Sequence, residues 1–244
     1  MDYQNVFQRY ELKYILNKRQ ILDIKDWLSS RMRIDAYGPT VIRNIYLDTD
    51  NYRLIRTSLD RPVYKEKIRL RSYRYATYED TVFVELKKKY EGVVFKRRIE
   101  SPNSLAMDWL LAGGEAPEES QIAREITYFR DFYEELKPKA FISYEREAYE
   151  MIDGSDLRIT FDTKIFGRNR DISFSSAIYG QPILGEELTL MEIKIPGVMP
   201  LWLSHYLSKH FIMKCTFSKY GEYYKNYLIN EETQKETTGG LLYA

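Results

Sequence analysis

The sequence predicts an α+β fold in which strands, interrupted by a few helices, close into a barrel with a charged lumen. Two observations predict it. Short β-type segments put charged residues on one alternating face, where a half-buried strand normally carries its apolar core. In Lys67-Ile68-Arg69-Leu70-Arg71 three cations share one face, and Val84-Glu85-Leu86-Lys87, Arg158-Ile159-Thr160-Phe161-Asp162 and Met191-Glu192-Ile193-Lys194-Ile195 repeat the pattern. Between and after these segments lie stretches with helical spacing and caps. Closed into a barrel, the charged faces line the lumen and the apolar faces pack outward against helices. A lumen that cationic must hold an anion.

Taken in order, residues 7–16 read as a strand with Arg9, Glu11 and Lys13 on one face. Asn17 offers an N-cap, and Ile21, Ile24 and Leu28 follow at helical spacing toward residue 32. After Tyr37-Gly38-Pro39, strands are expected over 41–48, 63–75, 80–89 and 92–100, the last two joined as a hairpin by Tyr90-Glu91-Gly92. Helices are expected over 104–111 and 119–136, with Gly113-Gly114 between them. Strands resume over 140–151, 156–162 and 187–195, where Pro196-Gly197 ends the last. Helices over 201–210 and 219–228 close the fold. Residues 231–244 have no apolar periodicity and read as a flexible tail, so one domain is expected over 1–230.

Composition excludes several classes. The 37 basic and 36 acidic residues nearly cancel, so no global field draws nucleic acid, and affinity for polyanions must come from local segregation of charge. A single cysteine, Cys215, excludes a disulfide framework and a cysteine-rich zinc site and fits a reducing cytosol. The two histidines, His205 and His210, sit close together in an expected helix and support neither metal ligation nor a serine-histidine triad. No apolar run reaches the ~18 residues of a membrane span, and the N-terminus lacks a basic-then-apolar leader. The chain is therefore expected to be soluble and cytoplasmic.

An antiparallel sheet with one wet face would give the same alternation in any single strand. The recurrence of Arg and Glu opposite well-formed apolar faces, strand after strand, favours a charged interior. Lys67, Arg69 and Arg71 repel one another on one face unless acids or a bound anion compensate, and Glu11, Glu85, Asp162 and Glu192 supply part of that compensation. Arg suits phosphate because its planar fork donates two parallel hydrogen bonds, and Lys adds a point charge. Carboxylates among such cations suit Mg²⁺ or Mn²⁺, which would bridge an acid to a phosphate oxygen. The expected ligand is a metal-chelated polyphosphate, held by side chains because no Gly-rich Walker loop is present.

Other features carry less. Tyrosines at 220, 223, 224 and 227 have helical spacing and read as core packing rather than base stacking. In Lys87-Lys88-Lys89 and Lys96-Arg97-Arg98, alternation sends Lys88 and Arg97 to the opposite face from their neighbours. Asp48, in Leu47-Asp48-Thr49-Asp50, is a weak metal candidate beside its reading as a turn or cap.

The ordered set Arg9 to Tyr14, Tyr46-Leu47-Asp48-Thr49, Lys67 to Arg71, Glu85-Leu86-Lys87, Lys96-Arg97-Arg98, Tyr144-Glu145-Arg146, Arg158 to Asp162, Glu192-Ile193-Lys194 and Phe217-Ser218-Lys219-Tyr220 resembles the VTC domain. That family is the polyphosphate polymerase branch of the triphosphate tunnel metalloenzymes, or CYTH-like superfamily. The resemblance covers roughly residues 7–228 and implies an eight-stranded antiparallel β tunnel with helices around it. It implies an enzyme that moves the γ-phosphate of ATP onto a growing polyphosphate chain with Mn²⁺ or Mg²⁺, the polymer passing along the tunnel. By the same resemblance Lys13, Lys67, Lys87, Lys96, Arg98, Arg146 and Arg158 belong to a phosphate-cradling wall. Lys219, Lys194, Arg69 and Arg71 lie about the transferred phosphate, and Glu192, with Glu11, Glu85 and Asp162, is the metal-binding set.

The triphosphatase and cyclase members open with Glu-x-Glu-x-Lys, whereas Arg9 stands at the first acidic position here, which favours holding a long anion over hydrolysing a short one. Eukaryotic VTC subunits add a phosphate-sensing SPX domain and membrane helices. This chain has neither, so membrane coupling would need a separate protein. A triphosphatase with water as nucleophile and a non-catalytic receptor for polyphosphate or inositol phosphates stay open as alternatives.

Overall fold

The computed structural model describes residues 10–91 and 93–229. The expected strand start at 7–9, with Arg9, and the tail at 231–244 lie outside the described residues. The chain folds as one antiparallel sheet of 11 strands with helices against it. Its strands are β1 (Tyr10–Asn17), β2 (Met32–Ile34), β3 (Thr40–Asp48), β4 (Tyr64–Ser72), β5 (Thr81–Tyr90), β6 (Val93–Pro102), β7 (Lys137–Met151), β8 (Arg158–Arg168), β9 (Gln181–Pro182), β10 (Leu188–Ile195) and β11 (Lys214–Cys215). The main path runs β11-β1-β10-β8-β7-β3-β4-β5-β6, with β2 pairing β7 and β9 pairing β8.

Among the described residues the sheet does not close into the expected eight-stranded barrel. The path is open, and no ladder joins β6 to β1 among the described residues. The reason is local: the free edge of β1 is taken by the two-residue β11, which pairs Lys13 with Cys215 and Tyr14 with Lys214. The sheet nonetheless curls, because Lys87 on β5 reaches Glu11 on β1 at 2.8 Å. Side chains, not backbone, bridge the seam.

Two apolar clusters cover the convex face. Ile68, Leu70, Val84 and Leu86 of β4 and β5 pack under α3 (Asn103–Met107, continuing as a π-helical turn Asp108–Ala112) and α4 (Gln121–Tyr133), which contributes Ala123, Ile126 and Phe129. Leu16, Ile159, Phe161, Met191 and Ile193 pack under α1 (Lys18–Leu28) and α5 (Leu201–Lys209). Asn17 caps α1 as expected, in a capping box with Gln20. Trp27, Tyr206 and His210 form a stacked series on this side.

A third cluster lies on the concave face. Ile42, Ala140, Ile142, Ile165 and Leu190 meet Tyr220, Tyr223, Tyr224 and Leu228 from α6 (Lys219–Tyr223, with a π-helical turn Tyr224–Leu228). Helix α6 thus covers one half of the lumen. Gly167 makes room for it, since a Cβ there would lie 2.5 Å from the Tyr223 ring.

Besides the short strands β2, β9 and β11, which the sequence does not predict, other features depart from the sequence reading. Helix α2 (Arg53–Leu59) forms where none was expected, started by the buried Asp48 carboxylate, which accepts from the backbone N–H of Leu54 at 2.9 Å and of Ile55 at 3.0 Å. Asp48 also accepts from Tyr220 Oη, so it caps a helix and is no metal ligand. Strand β8 continues past residue 162 through Lys164, whose φ of 48° switches the inward face so that Ile165 points into the lumen.

Candidate functional site

The open half of the concave face is a cavity of about 320 Å³, lined by nine Lys and Arg side chains against three Glu. Strand alternation puts them there. Lys67, Arg69 and Arg71 come from β4, Glu85 and Lys87 from β5, and Lys96 from β6, while Glu11 and Lys13 come from β1 and Glu192 and Lys194 from β10. Arg146 on β7 and Lys219 at the start of α6 complete the charged set.

One wall is organised around Glu85, which is 1% exposed. It accepts from Arg69 Nε at 2.9 Å and Arg98 Nε at 2.9 Å, with Lys96 Nζ at 2.7 Å and Arg71 Nε at 3.6 Å. Burial alone would raise the Glu85 pKa, but Arg71, Arg69 and Lys96 hold it well below the usual carboxylate range. Arg69 also donates to Tyr46 Oη at 2.9 Å, and Arg71 donates to Asn44 Oδ1 at 3.0 Å.

The facing wall is organised around Asp162 and Glu192. Asp162 accepts from Arg146 Nε at 2.6 Å, Arg146 Nη2 at 2.7 Å and Lys219 Nζ at 2.6 Å. Glu192 accepts from Arg146 at 3.2 Å and Lys219 at 3.4 Å and lies 3.3 Å from Lys13 Nζ. Burial alone would lower the Lys219 pKa, but Asp162 and Glu192 raise it, so this cation is permanent. Its ammonium stands 4.4 Å from the Tyr144 ring centre.

Lys67 is different. It stands directly opposite Lys87 in the β4–β5 ladder, makes no ion pair within 4 Å among the described residues, and has Glu11 as the acid that partly offsets its cationic neighbours. Burial, then Lys87, Lys13 and Arg69, push its pKa well down. Burial also brings Lys96 to about 7 and Lys194 to about 8, against partial opposition from Glu85 and Glu192 respectively.

Most predicted site residues meet in this cavity, and three do not line it. Asp162 is fully buried behind the wall as counter-ion to Arg146 and Lys219. Arg98 backs Glu85 and lies 4.3 Å over the Phe83 ring. Arg158 opens β8, paired in register with Lys194, and is exposed at the rim.

The expected metal-binding acids do not gather into one group. Among the described residues no group of three or more His, Cys, Asp or Glu side chains is placed to hold a metal ion. The oxygens of Glu85 and Asp162 are taken by guanidinium and ammonium groups. Glu11 and Glu192 are ion-paired as well, with Lys87 at 2.8 Å and with Arg146 at 3.2 Å, but unlike Asp162 they line the cavity, and they fit a Mg²⁺ or Mn²⁺ only as one or two carboxylates completed by phosphate and water.

Sequence reasoning missed Tyr46, Tyr144 and Asn44 as partners of the wall arginines. The signal was present in β3, where Asn44 and Tyr46 stand opposite Arg71 and Arg69. Lys88 and Arg97 do face outward, both toward Glu125 of α4. Cys215 is half-buried, and its pKa is raised by burial. No helix among the described residues is long and apolar enough to cross a membrane.

The fold has counterparts among solved structures. A candidate adenylate cyclase from Bacillus halodurans is similar in structure with a TM-score of 0.55 and 15% identity, over 88% of this chain and 96% of that one. A candidate adenylate cyclase from Vibrio parahaemolyticus has a TM-score of 0.43 and 11% identity over 87% of this chain and 95% of that one. A chain of the Schizosaccharomyces pombe Mediator head module has a TM-score of 0.44 and 11% identity over 85% and 98%. Those last two likenesses carry no argument. No curated protein matches the chain. The VTC domain matches over residues 8–227, a span that takes in the strands of both charged walls and the start of α6, and the chain belongs to the VTC domain family.

Proposed function

We propose that this chain is a metal-dependent polyphosphate polymerase that transfers the γ-phosphate of ATP to the end of a polyphosphate chain held in the lumen. The observation that supports it most is the excess of cations in a half-enclosed cavity, with Lys67 in no ion pair among the described residues and facing more cations than acids. Uncompensated like charge in a cavity is unfavourable until an anion enters.

In this reading Arg69 and Arg71 orient the nonbridging oxygens, with Lys13, Lys67, Lys87 and Lys96 spreading charge along the chain. Lys219, held charged by Asp162 and Glu192, and Lys194 beside it neutralise charge developing on the transferred group. A terminal oxygen of the polyphosphate attacks the γ-phosphorus, the bond from that phosphorus to the β–γ bridging oxygen breaks, and ADP leaves. Mn²⁺ or Mg²⁺ bound through Glu192 and Glu11 would chelate the triphosphate and withdraw charge from its oxygens.

A second reading, a non-catalytic polyphosphate or inositol phosphate receptor, is favoured by the lack of a three-acid grouping among the described residues, since binding needs only cations. Incubation with γ-labelled ATP and Mn²⁺, with products resolved on a gel, separates these. A polymer ladder that disappears in Glu192→Gln and Lys219→Ala supports the polymerase, and free phosphate alone points to a triphosphatase using water as nucleophile. Retention of polyphosphate with no turnover overturns both enzymatic readings in favour of the receptor.

A further inference from the structure

The seam left by the open sheet is itself a cleft of about 980 Å³, bounded by β1 and β11 on one side and by the ends of β4 and β5 on the other. It shares Glu11, Lys13, Lys67, Lys87, Val94 and Ser218 with the lumen cavity, so the two spaces adjoin. The inward row of cations runs on into it: Lys65 stands directly opposite Lys89, one step beyond the Lys67–Lys87 pair in the same ladder. Like charges directly opposed on one face of an antiparallel pair are unfavourable, and here two such pairs follow each other.

Arg61 and Lys214 line the same cleft. Among the described residues none of Arg61, Lys65, Lys89 and Lys214 has a carboxylate partner, and Lys65 Nζ donates only to the Ser58 carbonyl at 3.0 Å. Of the four acids that line the cleft, Glu11 pairs with Lys87 at 2.8 Å, Glu222 pairs with Lys225 at 2.8 Å and Glu66 accepts from Tyr133 at 3.0 Å, leaving Glu91. Burial, Lys89 and Arg61 together lower the Lys65 pKa. At its other end the lumen is covered by Tyr220, Tyr223, Tyr224 and Leu228 of α6. An extended anion seated in the lumen therefore continues toward the seam.

We propose that the seam is a second subsite for long-chain inorganic polyphosphate: the lumen takes the end of the chain, and Arg61, Lys65, Lys89 and Lys214 carry the phosphates that follow, so the polymer enters and leaves sideways. This rests on the reading of the lumen as a phosphate-chain site. It differs from end-to-end threading, which α6 obstructs.

The test is calorimetric titration of the whole chain with tripolyphosphate and with a long-chain polyphosphate fraction at low salt. The variants are the triple Lys65→Ala, Lys89→Ala, Lys214→Ala and, as a lumen control, Arg69→Ala. The triple variant should keep tripolyphosphate affinity within about twofold and lose about tenfold for the long chain, as expected for three partly screened contacts. Its melting temperature should not fall, because one opposed lysine pair has been removed. Arg69→Ala should weaken both anions. If the wild type takes neither anion, the reading of the lumen falls. If it takes tripolyphosphate and the triple variant keeps full long-chain affinity, or loses both anions equally, the seam subsite alone is overturned. A triple variant that loses ATP affinity while keeping that for long chains overturns it as well, by marking the cleft as a nucleoside site.

Discussion

Lys219 donates to Asp162 at 2.6 Å behind the wall of the lumen, and the pair ties the start of α6 to β8. Asp162 is fully buried and Lys219 is 7% exposed at the cavity wall, so the contact is a structural ion pair as much as a functional one. Arg146 completes it from β7.

Removal of one partner should therefore be costly. Asp162→Ala leaves Lys219 and Arg146 sharing only Glu192, and a loss of about 3–5 kcal/mol is expected in urea unfolding. Adding Lys219→Met should recover part of the loss, because it removes a stranded buried charge. Equal unfolding midpoints for Asp162→Ala and wild type would show that this pair does not secure α6.

Lys67→Met should have opposite effects on stability and binding. In the free protein Lys67 is half-buried beside Lys87, Lys13 and Arg69, so its removal should stabilise the fold by up to about 1 kcal/mol. Tripolyphosphate affinity should fall about tenfold, measured by titration calorimetry. A lowered melting temperature with unchanged affinity would contradict the account of Lys67 as an anion-ready cation.

The pH response follows from Lys96, brought to about 7, and Lys194, brought to about 8. Both lose their charge as pH rises through those values, so anion affinity should fall between about pH 6 and about pH 9. Binding should take up protons near pH 8, seen by calorimetry in buffers of different ionisation enthalpy. For folding the sign is reversed. Unfolded lysines stay protonated to about 10.4, so between about pH 7 and 10 the unfolded chain binds more protons and these two groups favour the native state increasingly as pH rises. Affinity that is flat over this range would remove both lysines from the site.

Gly167→Ala tests the cover on the lumen. Its Cβ would lie 2.5 Å from Cδ2 of Tyr223, and the ring cannot withdraw easily from a packed cluster. A loss of about 1–3 kcal/mol is expected in chemical denaturation, with part of it recovered by Tyr223→Leu. A fully stable Gly167→Ala would mean that α6 packs loosely enough to move aside.

The charged walls were legible because residues i and i+2 on a strand share a face. Lys67, Arg69 and Arg71, Glu85 and Lys87, and Glu192 and Lys194 all turn inward as that period requires. The pairing of acids with cations was not legible: Lys87 finds Glu11 from 76 residues away. Arg158 obeys the same alternation yet stands exposed, because it begins its strand at the rim. Helix α2 was hidden by a cap at Asp48, outside the usual spacing for an N-cap, and by Tyr52, which enters with φ of 55°.

Local patterning of charge and apolarity in the chain is sufficient for the α+β class, for the inward basic rows and for the excess of cations over acids facing an interior. Closure of the sheet, by contrast, turns on which backbone edge meets which. The two residues of β11 occupy the edge of β1, leaving a seam where a barrel was expected, and α6 covers half of the lumen with tyrosines that sequence spacing assigned only to a core. Strand period is a property of successive residues, whereas edges, counter-ions and covers are settled by contacts between segments far apart in the chain.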